Sequence, residues 1–204
     1  TMDWNTIPSD EVIASTIENL AARNIKATVA ANKEEALEKL KSILPEGASV
    51  ANGSSTTLHQ IGYIDYLKEN DSKYYNFQSK VLAESDPQKQ SDLRRQAVTA
   101  DYFVASTNAV SQNGEIVSAD RTGSRVGAFL FGAKNLILVV GVNKITKDLD
   151  SAMQRVREFV LPLENERAQQ AYGSPSKIGK WAIIEDEINP NRIQVIFIKE
   201  ALGF

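Results

Sequence analysis

The chain has 204 residues, 42% hydrophobic and 24% charged, with no cysteine, one histidine and a net charge of −3, the make-up of an ordinary folded domain rather than a disordered or coiled-coil chain. Without cysteine there is no disulfide framework, thiolate nucleophile, iron–sulfur ligation or Cys-based zinc site, and a single histidine excludes a multi-histidine metal centre, so neither a metal nor a cofactor held by the chain is expected. The 23 basic and 26 acidic residues offer no positive excess for nucleic acid, no apolar run approaches the about 18 residues of a membrane span, and Thr1-Met2-Asp3-Trp4-Asn5 begins no signal peptide, so a soluble cytoplasmic protein is the expectation.

Ser9 can cap a first helix in which Val12, Ile13, Thr16, Ile17 and Leu20 keep helical spacing to about Asn24. A short strand over residues 25–30 follows, then a helix from about Lys33 to Leu44 with Ala36, Leu37, Leu40, Ile43 and Leu44 on one stripe. Pro45-Glu46-Gly47 stops it, and residues 48–51 read as a buried strand running into the small polar stretch Asn52-Gly53-Ser54-Ser55-Thr56-Thr57 and a further helix through Leu58, Ile61 and Ile64. Residues 65–92 alternate between helix and loop signals, with a break at Pro87, and a helix from about Gln88 to Thr99 leads into a short strand at residues 102–105.

Residues 109–117 read as a hairpin, because Asn113-Gly114 between extended apolar segments favours a type I′ turn. Asp120-Arg121-Thr122-Gly123-Ser124-Arg125 is a second polar loop opening a helix over residues 126–131. Residues 136–140 form the most apolar run of the chain, expected as a central parallel strand buried on both faces. Asp148 caps a long amphipathic helix carrying Leu149, Ala152, Met153, Val156, Phe159, Val160 and Leu163, with Pro162 expected to bend or end it and a helical pattern able to resume through residues 164–172. Residues 181–184 and 193–198 are expected as two antiparallel strands. The alternation of strand, small-residue loop and helix defines one α/β domain over residues 1–204: a mostly parallel sheet flanked by helices, with an antiparallel hairpin and C-terminal strands.

Two loops draw attention as sites. Residues 52–57 turn from a strand into a helix, where backbone N–H groups, the hydroxyls of Ser54, Ser55, Thr56 and Thr57 and the close approach that Gly53 permits suit a phosphate or carboxylate; a plain capped turn explains the same residues. In the second loop, Arg121 and Arg125 would share a helix face if Arg121 lies in the first turn, and could then grip one anion together with Thr122, Gly123 and Ser124. The alternative there is that Asp120 caps the helix while the arginines pair with surface carboxylates. Glu115 and Asp120 are candidate general bases, and His59 a candidate to polarise a substrate oxygen, although each also reads as an ordinary solvated or packed side chain.

The run of residues 101–135, containing both the hairpin and the Asp120–Arg125 loop, closely resembles the LUD-domain (lactate-utilisation, LutC/YkgG-like) family, as do its continuation through residues 136–145, Arg155-Val156-Arg157 and Leu161-Pro162-Leu163. The resemblance covers most of the chain and implies a fold of the NagB/RpiA/CoA-transferase-like superfamily, whose members bind phosphorylated or acyl-CoA ligands at loops after parallel strands. On that reading residues 50–57 look like the superfamily's phosphate loop, with Asn52 where a glycine often stands. Two departures stand out. Gln112-Asn113-Gly114 replaces the Glu-Asn-Gly motif whose glutamate is the nucleophile of related CoA transferases, and glutamine forms no such acyl intermediate. The stretch of residues 174–181 lacks the cysteine cluster of longer relatives.

The resemblance therefore implies a protein of lactate or other organic-acid utilisation that binds a small anionic ligand between the two loops, with Asn113 and Gly114 near it. Any redox chemistry would come from an iron–sulfur or flavin partner protein. A non-catalytic ligand-sensing module that kept the anion pocket is the alternative, and a sugar-phosphate isomerase or CoA-transferase-like enzyme a more distant one. Related folds often dimerise, so a homodimer is carried as a candidate assembly; no nucleic acid or membrane partner is expected.

Overall fold

A computed structural model describes residues 3–204. The chain opens with α1 (Asp10–Ala22), which Ser9 caps by accepting from the Val12 amide, and which ends where Asn24 turns left-handed and Ile25 N–H closes back on the Leu20 carbonyl. Strand β1 (Lys26–Ala30) and α2 (Lys33–Ile43, capped by Asn32) follow, then β2 (Ser49–Asn52), α3 (Thr56–Gln60) and α4 (Tyr63–Glu69). The region without a clear pattern holds a two-residue strand β3 (Tyr75–Asn76), α5 (Phe77–Ala83) and α6 (Pro87–Ala97). Pro87 opens α6 rather than merely breaking the chain, since its missing N–H costs nothing in the first turn and Asp86 caps the next amides. Then come β4 (Tyr102–Ala105), β5 (Ala109–Ser111), β6 (Ile116–Asp120), the short α7 (Ser124–Gly127), β7 (Asn135–Gly141), β8 (Ile145–Thr146), α8 (Leu149–Arg155), α9 (Leu161–Tyr172), β9 (Lys180–Ile184) and β10 (Ile193–Ile198).

Six strands form a wholly parallel sheet in the order β1-β10-β7-β4-β2-β3, with β7 inside it as its apolar sequence requires. Side chains alternate across it: Leu136, Leu138 and Val140 of β7 join one core with α1, Phe77 and Phe129, while Ile137 and Val139 join the other with α2, α3 and α4. Four strands form a second sheet, β8-β5-β6-β9, in which β5–β6 and β6–β9 are antiparallel and β5–β8 parallel. One of its faces (Val110, Ile116, Ile184) continues the first core and the other (Ala109, Val117) packs on Ala152 and Val156 of the long helix.

Two expectations are corrected. The two C-terminal strands do not pair: β9 closes the second sheet against β6, while β10 lies between β1 and β7 in the parallel sheet. β10 buries both faces, which only the inside of a flanked sheet provides. At the hairpin only Gly114 has positive φ, so Gln112 and Asn113 form an ordinary type I turn followed by a left-handed glycine instead of a type I′ pair. Around Pro162 the long helix breaks its α-pattern and resumes, as expected: α8 ends at Arg155 and α9 continues to Tyr172. A π-helical stretch at Val156–Val160 precedes the proline, and α9 starts with it in its first turn, where no intrahelical N–H is needed.

Candidate functional site

Strands β2, β4 and β7 run parallel and end on one side of the sheet, the side on which open α/β sheets place ligands. A cavity of about 1100 Å³ opens there, lined by the β2–α3 loop, residues 106–108 after β4, the β6–α7 loop, Lys144 after β7, and side chains of α5, α6 and α9. Its floor is the seam between the sheets. The chain leaves the parallel sheet at Ala105, crosses through Ser106, Thr107 and Asn108 into β5, and crosses again through Val142, Asn143 and Lys144 into β8. Both crossings are buried, so their irregular backbone needs partners within the protein.

Three cations answer that need at the first crossing. Arg125 donates from Nη1 to the Ser106 carbonyl (3.2 Å), Lys144 from Nζ to the Thr107 carbonyl (3.3 Å), and Arg155 from Nη1 to the Asn108 carbonyl (2.6 Å). Arg125 is also bound through Nε to Asp120 Oδ1 (3.0 Å) and through Nη2 to Asn108 Oδ1 (3.1 Å) and the Ala119 carbonyl (2.9 Å). That leaves one of its five N–H bonds uncommitted. Lys144 further meets the hydroxyls of Thr57 (3.2 Å) and Ser106 (3.1 Å), and no carboxylate. Burial pushes its amine well below the usual lysine range, with the nearby Arg155 and Arg125 charges adding to the shift. Arg155 is fully buried, packs over the Phe159 ring and leaves its Nε without a partner; burial lowers its guanidinium to about 10.

The structure brings most of the sequence candidates together. Asn52, Gly53, Ser54, Ser55, Thr56, Thr57, His59, Asp120, Arg121, Thr122, Ser124 and Arg125 all line the cavity, so the two loops do face one space. Their roles differ from expectation. Gly53 is required by Arg125, whose Cδ would lie 2.9 Å from a Cβ there, rather than by an approaching ligand. The Ser55 hydroxyl is occupied in capping the Leu58 amide, and Thr57 turns its hydroxyl to Lys144. The Asn52 Oδ1 is buried without a hydrogen-bond partner among the described residues. Helix α3 has only five residues, so little of a helix dipole stands behind this loop.

In the second loop, Arg121 precedes the helix instead of lying in its first turn; it is exposed and donates to the Pro175 carbonyl. The two arginines therefore do not form a joint clamp. Asp120 is held between Arg125 and the Val126 amide (2.8 Å), the capping role that was the alternative reading. Gly123 is the left-handed residue before α7 and is not among the lining residues. Asn113, Gly114 and Glu115 are also absent from the wall: Glu115 pairs with Arg23 (3.0 Å) and takes the Ser111 hydroxyl, and Gly114 lies against Arg23 and α1. Glu115 is thus a structural carboxylate remote from the cavity, and Asp120 a pinned one.

Lys144, Arg155, Ser106, Thr107 and Asn108 escaped the sequence reading. Two signals were present. Arg155 stands three residues after Ala152 and four before Phe159, on the apolar stripe of the helix, where a charge without a stated partner is anomalous. Lys144 follows the most apolar strand at its C-terminal end, the position where parallel sheets carry functional groups.

Fold and cavity together define an α/β domain with a pocket at the carboxyl ends of its parallel strands, with Lys144 and Arg125 in its wall. The LUD domain family matches residues 13–198, and the chain belongs to that family. Among solved structures it is similar to a DUF162 family protein from Deinococcus radiodurans, at 14% identity and a TM-score of 0.54, over 97% of this chain and 99% of that one. It also matches ribose 5-phosphate isomerase from Plasmodium falciparum at 15% identity over 56% of this chain and 52% of that one, with a TM-score of 0.35. The first likeness bears on fold alone, and the second is too slight to carry an argument. No curated protein matches the chain. Among the described residues no helix is long and apolar enough to cross a membrane.

Proposed function

We propose that this LUD domain binds a small phosphate- or carboxylate-bearing molecule in the cavity at the ends of β2, β4 and β7, as a subunit of, or accessory to, a redox assembly of lactate or other organic-acid utilisation. The carrying observation is electrostatic. Lys144 and Arg125 line the cavity with Arg155 behind them, and Asp120 is the only carboxylate hydrogen-bonded to any of the three among the described residues. A buried cation without a counter-charge is costly, and a ligand anion would supply that charge to Arg125 and Arg155. The unpartnered Asn52 Oδ1 offers an acceptor for a ligand hydroxyl in the same wall. Electrons, in this reading, travel through an iron–sulfur or flavin partner protein.

A thermal-shift series with inorganic phosphate, sugar phosphates, CoA esters and hydroxy acids tests the binding. At least one class is expected to raise the melting temperature, the stabilisation reaching about 2.7 kcal/mol at a hundredfold excess over Kd. The shift should disappear in Lys144→Met. No shift from any class, or one that Lys144→Met leaves intact, would remove the anion site. The second reading, a sensing module without chemistry, draws on the immobilised Asp120 and remote Glu115, which deny the two expected bases to a substrate. Binding without turnover, in the presence of a co-purifying partner, would favour it.

A further inference from the structure

We propose that Lys144 is a nucleophilic amine that forms an imine with the carbonyl carbon of an anionic ligand in this cavity, an inference that rests on the anion-site reading above. Arg125 and Arg155 hold two of the three crossing carbonyls with guanidinium groups, which stay protonated in any ordinary setting. The third carbonyl is held by an amine, the one cation of the set that can give up its proton and expose a lone pair. Its position favours that form. Lys144 lines the cavity, is itself buried, has no carboxylate partner among the described residues, and lies among cations and neutral oxygens. Desolvation next to other positive charge is the arrangement that activates lysines toward carbonyl carbons.

The hydrogen bonds fit a neutral amine. It has two N–H bonds and a lone pair, against one carbonyl, which can only accept, and two hydroxyls, which can do either. Nζ stands as donor to all three; a neutral amine keeps the contacts when one hydroxyl turns to donate to it, and rotation of that hydroxyl back frees the lone pair. In the reaction Nζ attacks the carbonyl carbon, forming the C–N bond as the C=O π pair moves to oxygen. Thr57 and Ser106 hydroxyls, within hydrogen-bond reach of Nζ, relay protons. The C–O bond then breaks, and the oxygen leaves as water carrying both amine protons. No oxidant, reductant or metal is needed.

The test uses the intact chain with glyoxylate, an aldehyde bearing a carboxylate, and cyanoborohydride at neutral pH, with each lysine's modification followed by peptide mass spectrometry. Lys144 is expected to label at least about tenfold faster than exposed Lys134, since each unit of lowered pKa raises the neutral fraction tenfold. Glycolate, which carries the carboxylate without the carbonyl, should slow labelling of Lys144 and leave Lys134 unchanged. Because the wild-type chain reports on itself, no folding defect can mimic the result; Lys144→Met serves as the blank. Labelling that follows exposure and spares Lys144, while anions still raise the melting temperature, would overturn the imine and leave the anion site standing. Labelling of Lys144 that glycolate does not slow, with no anion-induced shift, would overturn the anion reading and this proposal with it.

Discussion

The buried amine makes a thermodynamic demand that can be measured without knowing the ligand. In the folded chain Lys144 is neutral at pH values where the unfolded side chain, with a pKa near 10.4, holds a proton. Below its lowered folded pKa the penalty for burying it is constant, and above about 10.4 it vanishes. Between the two the unfolded state binds one more proton, so this group makes stability rise with pH, by up to about 1.4 kcal/mol per unit. Lys144→Met removes the titration while nearly keeping the side-chain length. It also leaves the Thr107 carbonyl and two hydroxyls without their nitrogen partner, a loss of about 1–3 kcal/mol that does not depend on pH. Urea unfolding of both proteins between about pH 6 and 9 isolates the term, because the other titrating groups cancel in the difference. The advantage of wild type over variant should grow with pH through the window above the folded pKa of Lys144. A difference constant across the range would show an amine protonated in the fold and refute the reasoning.

Other substitutions test the framework around the amine. Asp120→Asn keeps an acceptor for the Val126 amide but removes the charge facing Arg125 in a largely buried pair, and should cost about 3 kcal/mol by urea unfolding. Gly53→Ala sets a methyl 2.9 Å from the Arg125 Cδ, and Arg125 cannot swing aside without breaking its four hydrogen bonds; about 1–3 kcal/mol of destabilisation is expected. Lys144→Arg should be less stable than Lys144→Met at neutral pH, by a shift in urea midpoint, because a guanidinium beside Arg125 and Arg155 has no neutral form to retreat to. A Lys144→Arg protein as stable as wild type would mean that this site tolerates a buried charge.

The parts of the fold that were legible in the sequence are those governed by short-range physics. Ser9 and Asp148 stand directly before apolar helical stripes, and each caps as its side-chain oxygen allows. Residues 136–140 are apolar at every position, which suits only an inner parallel strand. The errors arose where a distant partner decides. Two strand-like segments joined by a short polar loop look like a hairpin, yet β10 finds more apolar surface between β1 and β7 than beside β9. Strand β3 has two residues, too few for any period, and exists because the Tyr75 amide reaches the Ala48 carbonyl beside β2. The π-helical stretch before Pro162 has no local signature beyond the proline itself.

The site divides along the same line, and the division says where its chemistry resides. Small hydroxyl-bearing loops are visible in sequence because turns and caps select those residues, and both loops do border the cavity. Their polar atoms, however, are largely consumed in holding the loops: Ser55 in a cap, Thr57 on Lys144, Asp120 and Arg125 on each other. Lys144 and Arg155 look like surface charges in sequence and are buried where the crossing from β4 to β5 leaves three consecutive carbonyls in need of donors. A guanidinium meets such a need with its charge fixed. An ammonium meets it by losing a proton, and with that loss acquires a lone pair beside the cavity. The structural requirement and the reactive group are thus the same side chain.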